Sequence, residues 1–239
     1  MEKMEPDLRD AVAQVKKVFA LGAFIVSDPP VADWKKPKEV PAERWVYWKP
    51  EAKATRWISI PDTPEARSQA IKDGAMFFTW ACVSKPYEGN GDGEPHRWGN
   101  LPLDFDSPDD VGRALMDLRR LCFDYLPKYG IDPSELHYYL SGGKGFHVVI
   151  PARLLNAEGG DPQLPLIYKE IVAQWKKDLG LDSLDMCLYC MKRGRMFRIP
   201  NVRRANGRYK VELTLDETRR RTVDELTELG TAPRNPKRT

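Results

Sequence analysis

The chain has 239 residues, 41% hydrophobic and 31% charged, with a net charge of +3 and four cysteines. That is enough apolar material for one large domain or two closely packed lobes, and no apolar run is long enough to span a bilayer. The acidic, polar start MEKMEPDLRDAV is not a secretory signal. Four cysteines in a chain this long do not make a disulfide framework, so a reducing, cytoplasmic setting is expected.

Residues 7–24 carry apolar positions at Val12, Val15, Val18, Phe19 and Leu21, which predicts a helix. RWVYWKP (44–50) and TRWISIP (55–61) read as short strands. DTPEARSQAIKDG opens with an Asp or Thr cap and a proline at the first helical position, and closes on Gly74, so a helix is expected there. AMFFTWACVS (75–84) reads as one buried strand, and 86–100 as a loop rich in turn formers. LPLDFD is a strand leading to a helix, for which Ser107 is the expected N-cap and Pro108 the first residue. Val111, Leu115, Leu118, Cys122 and Tyr125 line one face of that helix. LHYYLS and FHVVIP are strands on either side of a glycine turn. QLPLIYKEIVAQWKKDLG is an amphipathic helix stopping at Gly180. RMFRIP and RYKVELT are short strands, TVDELTELG is a last helix, and TAPRNPKRT a basic, frayed tail. Helices and hairpins are mixed, so the class is α+β.

Asp104 and Asp106 stand two apart on a strand, so both point to one face. Two carboxylates on one face repel unless a cation lies between them, and hard oxygen donors at this spacing suit Mg²⁺ or Mn²⁺. In SGGKGFH (141–147), Gly142, Gly143 and Gly145 let the backbone approach a ligand, while Ser141, Lys144 and His147 converge on an anion. The alternative is an ordinary hairpin with a solubilising lysine at its tip. A P-loop is excluded, because the lysine is followed by Gly-Phe-His on a strand.

From Met186 to Val211 there are eight basic residues (Lys192, Arg193, Arg195, Arg198, Arg203, Arg204, Arg208, Lys210) and no acidic ones. The rest of the chain is net negative. Such concentration is the footprint of a polyanion partner, interleaved with Met196, Phe197, Ile199 and Pro200 that anchor it. Cys187 and Cys190 form a lone C-x-x-C with no second ligand pair, and the four thiols are read as buried rather than as a zinc site.

Taken in order, LDFDS, SGGKGFH and LDMCLYCMKRGRMFRIPN resemble the three motifs of the archaeo-eukaryotic primase superfamily, particularly its primase-polymerase members. The resemblance covers roughly 75–230. It implies that Asp104, Asp106 and Asp185 are the catalytic carboxylates, holding two Mg²⁺ or Mn²⁺ ions. It also implies that Ser141, Gly143, Lys144, Gly145 and His147 grip the incoming nucleotide, with Arg195 and Arg198 contacting phosphate. Arg203, Arg204 and Arg208 are then expected on DNA or on an initiating nucleotide. Asn201 and Val202 follow Pro200, where the family often has a small hydroxyl residue.

The implied fold is a two-lobed primase core with an RRM-like catalytic sheet and an N-terminal α/β unit. The expected layout is one catalytic domain over 1–230 (N-terminal lobe 1–74, catalytic core 75–230), with 231–239 as a basic tail or linker. The implied function is a DNA primase and DNA polymerase, a nucleotidyltransferase acting in DNA replication. It would extend and initiate strands on a single-stranded DNA template from NTP or dNTP, with a helicase domain or protein as neighbour and no membrane. Three other readings compete: a polymerase without primase activity, a metal-dependent nuclease, and a single-strand or origin binding module with a dead site.

Overall fold

The computed structural model describes residues 44–84, 95–190 and 195–235. The expected helix over 7–24, most of the 86–100 loop, Lys192, Arg193 and the end of the tail lie outside them. The molecule is mixed α+β, built on two antiparallel sheets.

The first sheet starts with β1 (Trp45–Lys49), which pairs along one side with β2 (Ile58–Pro61). Its other side takes β3 (Phe77–Thr79) and then β4 (Cys82–Val83). The single strand expected over 75–84 is thus broken at Trp80–Ala81. Thr79 Oγ1 donates to the Ala81 carbonyl (2.9 Å), and Trp80 N donates instead to the Arg195 carbonyl (3.4 Å). β5 (Arg97–Trp98) lies in the expected loop region and pairs with β4. β9 (Met196–Arg198) closes the far edge beside β3. Between β2 and β3 runs α1 (Pro64–Lys72), capped by Thr63 with Pro64 at its first turn and followed by Gly74 at φ +95°, as the sequence predicts.

The second sheet has the order β10–β7–β8–β6, with β6 Leu101–Asp106, β7 His137–Leu140, β8 Gly145–Ile150 and β10 Val211–Leu213. Leu101, Leu103, Phe105, Tyr138, Leu140, Phe146, Val148, Ile150, Val211 and Leu213 are buried on one face. Against that face pack α2 (Val111–Arg119), which runs on through a wider turn to Tyr125, and α3 (Leu164–Leu179), ended by Gly180 at φ +60°. α2 begins later than expected. Asp110, not Ser107, is its cap, accepting from Arg113 N (3.0 Å), and Ser107 instead ties its N–H to the Lys144 carbonyl (3.1 Å).

Two short helices close the chain: α4 (Leu215–Arg220), unforeseen from the sequence, and α5 (Val223–Glu228). Each opens on a reciprocal Thr–Glu capping box. The start of the expected frayed tail is in fact pinned. Asn201 bonds the Arg234 backbone at 2.9 and 3.1 Å, and Arg234 reaches Glu217 at 3.0 Å. Among the described residues, no helix is long and apolar enough to cross a membrane.

Candidate active site

Alternation along β6 sends Leu101, Leu103 and Phe105 into the core and leaves Pro102, Asp104 and Asp106 on the opposite face. The register then fixes their neighbours. Asp104 pairs with His147 and Asp106 with Gly145 on β8, while Tyr139 on β7 faces His147 from the other side. The outer edge of β6 is taken by residues 183–185. Asp106 N donates to the Ser183 carbonyl and Asp185 N to the Asp104 carbonyl, each at 2.8 Å. The third aspartate is therefore seated one backbone hydrogen bond from the first.

A residue the motif reading missed holds that segment. Asp117, 2% exposed on α2, accepts from Ser183 N (3.0 Å) and Ser183 Oγ (2.8 Å), with Arg113 3.4 Å away. The signal was available in the sequence as a carboxylate on the apolar face between Leu115 and Leu118.

The electrostatics of the cluster follow from this crowding. Burial pushes Asp104 up from the ordinary 3.8 to about 7, helped by the charges of Asp106 and Asp185 and opposed by Lys210 and Lys144. His147 Nε2 lies 3.4 Å from Asp104, and its ring rests on Phe197 of β9 (centroids 4.5 Å apart). Burial, then Lys210, Arg204 and Arg198, hold the imidazole well below its ordinary range, so it is neutral at pH 7. Its Nδ1 is buried without a partner among the described residues.

The glycine turn is a braced structure, not a free hairpin tip. A Cβ on Gly145 would lie 1.8 Å from the Phe105 carbonyl oxygen, and one on Gly142 (φ +72°) 2.3 Å from that of Tyr209. Ser141 Oγ accepts from Gly143 N (3.2 Å) and Gly145 N (3.3 Å), which leaves its O–H free to donate. Arg204 Nη1 donates to the Ser141 carbonyl (2.8 Å), and Asn206 Nδ2 to that of Gly142 (3.2 Å). Lys144 projects outward, 58% exposed, with Nζ 3.9 Å from Asp106.

The basic run is not one solvated stripe. Arg204 clamps the turn and Arg208 Nη1 donates to the Thr227 carbonyl (2.8 Å), while Arg203 pairs with Tyr209 through its backbone alone and is exposed. Arg195 is exposed. Arg198 is half-buried with Cζ 4.3 Å over the Phe77 ring, and its Nη1 is buried without a partner among the described residues. Lys210 is 1% exposed, which charge counting could not foresee. Of the four thiols only Cys82 and Cys122 are buried; in 186–190 it is Leu188 and Tyr189 that turn into the core, which leaves Cys187 exposed and Cys190 half-buried.

Three carboxylates on adjoining backbone positions, one raised by burial and then by its neighbours, are the donor chemistry of a hard divalent cation. Among the described residues no three His, Cys, Asp or Glu side chains are drawn into a closed ligand set. Comparison with family models, curated proteins and solved structures gives no match.

Proposed function

We propose that the chain is a DNA primase-polymerase. On this reading it catalyses template-dependent transfer of a nucleotide from NTP or dNTP to a 3′ hydroxyl on single-stranded DNA, de novo primer synthesis included. The two sheets are then the two lobes of a primase core. The observation that carries the reading is the meeting of Asp104 and Asp106, with Asp185 one backbone bond away, and a braced glycine turn whose Lys144 stands 3.9 Å from Asp106.

Asp104, Asp106 and Asp185 would hold Mg²⁺ or Mn²⁺, which when bound supplies charge neutralisation at the transferring phosphoryl group. The protein's own contribution is positional. The Ser141 hydroxyl and Lys144 ammonium face a triphosphate at the turn, and neutral His147 orients Asp104 without adding charge. Positioning and electrostatics account for most of the rate in phosphoryl transfer, so such a rigid anion clamp beside acids is what the chemistry requires.

The test is incorporation of labelled nucleotide, with and without a primer, by wild type and Asp104→Ala. Incorporation by wild type, reduced at least about a hundredfold in the variant, supports the reading. Template degradation without incorporation would make the protein a nuclease. Extension without short products on unprimed template would remove initiation.

A further inference from the structure

The segment that seats Asp185 beside the other acids reaches the surface two residues later. After the backbone bonds of residues 183–185 to β6, the chain makes a single 3₁₀ turn, Met186–Leu188. Asp185 caps it: its Oδ1 accepts from Cys187 N at 2.8 Å. One oxygen of the third carboxylate is thus held by the backbone of Cys187, and the side chain's direction depends on that turn.

Leu188 and Tyr189 are anchored inward. Trp80 Nε1 donates to the Leu188 carbonyl (3.1 Å), and the Tyr189 hydroxyl donates to the Pro102 carbonyl on β6 (2.5 Å). Cys187 and Cys190 flank these two buried residues and both face outward. Positions three apart in a 3₁₀ turn stack on one another. Tyr189, at φ −99° and ψ +68°, leaves that path, so the turn is open on the side of Cys190. Two accessible thiols at C-x-x-C spacing have the arrangement of pairs that exchange reversibly with disulfides.

We propose that Cys187 and Cys190 are a redox-sensitive pair whose disulfide displaces Asp185 and weakens cation binding by the three aspartates. The oxidant is a low-molecular-weight disulfide such as oxidised glutathione. One cysteine sulfur attacks it and releases one molecule of reduced thiol, and the other cysteine then displaces the second from the mixed disulfide. One Cys187–Cys190 bond forms, the reagent's S–S bond breaks, and the two thiol hydrogens of the protein leave on two molecules of reduced reagent. A disulfide fixes the distance and angle between its two Cα–Cβ bonds, so the open turn must close to accommodate it. Leu188 and Tyr189 are tied to Trp80 and Pro102, so the movement falls on Cys187 and pulls its N–H from Asp185 Oδ1. The inference rests on the metal-binding reading of the three acids and gives that site a regulator.

The test treats the full chain with excess oxidised glutathione, removes the reagent, and measures two things separately. Mass spectrometry should show the loss of two hydrogens, mapped to the peptide holding Cys187 and Cys190, with the buried Cys82 and Cys122 still reduced. Calorimetric titration with Mn²⁺ should then show binding weakened about tenfold, the lower end of what loss of an orienting partner costs a metal site. A phosphine reductant should restore it. Cys190→Ser should bind Mn²⁺ as reduced wild type does and should not respond to the oxidant. A reaction that yields no disulfide or stops at the glutathione adduct overturns the proposal, as does a disulfide that leaves Mn²⁺ affinity unchanged. Should reduced wild type bind no Mn²⁺, the metal reading fails by itself, and hydrogen exchange at the Cys187 amide decides the switch. Faster exchange after oxidation supports it, and unchanged exchange overturns it.

Discussion

Replacing Asp104 with asparagine should stabilise the protein while abolishing the proposed nucleotide incorporation. The carboxyl titrates at about 7 in the fold instead of 3.8. Folding therefore takes up a proton between those values. The contribution to stability is fully present below about pH 4, falls as pH rises toward 7, and is constant above it. A shift of about three units corresponds to about 4 kcal/mol at 1.36 kcal/mol per unit, an upper bound that solvent penetration reduces. Asp104→Asn keeps the shape and removes the charge, so it should gain about 1–3 kcal/mol over wild type at pH 8, and much less at pH 5. The assay is urea denaturation of both proteins in EDTA at the two pH values. Adding Mn²⁺ should then stabilise wild type and not the variant, since a ligand of the native state adds to stability by mass action. A variant less stable than wild type at pH 8, or a difference that does not change between pH 5 and 8, would refute the account of the cluster.

Lys144→Ala should raise the apparent KM for nucleotide roughly tenfold to a hundredfold, as loss of one charge-assisted contact implies, with single-stranded DNA affinity little changed in a labelled-oligonucleotide titration. Gly145→Ala should cost at least about 3 kcal/mol or abolish soluble expression, because its methyl would sit 1.8 Å from the Phe105 carbonyl oxygen and separate β8 from β6. Arg204→Ala should act on nucleotide KM by loosening the turn it clamps. It should leave the slope of log DNA affinity against log salt within about 0.7, the value of one phosphate contact on a single strand.

The strands and helices carrying the acids and the turn were legible because their signals are local. The alternation of LPLDFD, the proline and threonine at the start of α1, and the glycine ending α3 each act within a few residues. The same alternation put Asp104 and Asp106 on one face, and the turn glycines announced a close backbone approach. What stayed hidden depends on contacts distant in sequence. The helix starts at Asp110 instead of Ser107, whose N–H pairs with the Lys144 carbonyl across the sheet. Lys210 looked like one more surface charge until Phe197 and Tyr139 covered it. Arg204 and Arg208 each donate to a carbonyl of their own chain, partners that charge counting did not foresee. Charge counting cannot tell a cation that serves the fold from one that awaits a ligand. Only the acceptor beside it can.

β9 belongs to the first sheet although it follows nearly the whole of the second in sequence: Phe77 pairs with Arg198, and Phe78 with Phe197. During synthesis, β3 leaves the ribosome long before its partner. Its Phe-Phe-Thr edge stays bare while the second sheet is made, and contacts closed over so long a loop form slowly. The same late strand delivers Phe197 onto His147 and Lys210. Completion of the first sheet and roofing of the site are therefore one event. A nascent or truncated chain ending before Met196 would have its three aspartates in place and no cover above them, and would expose a sticky strand edge. The order of translation thus makes acquisition of the finished site a report that the whole chain has folded.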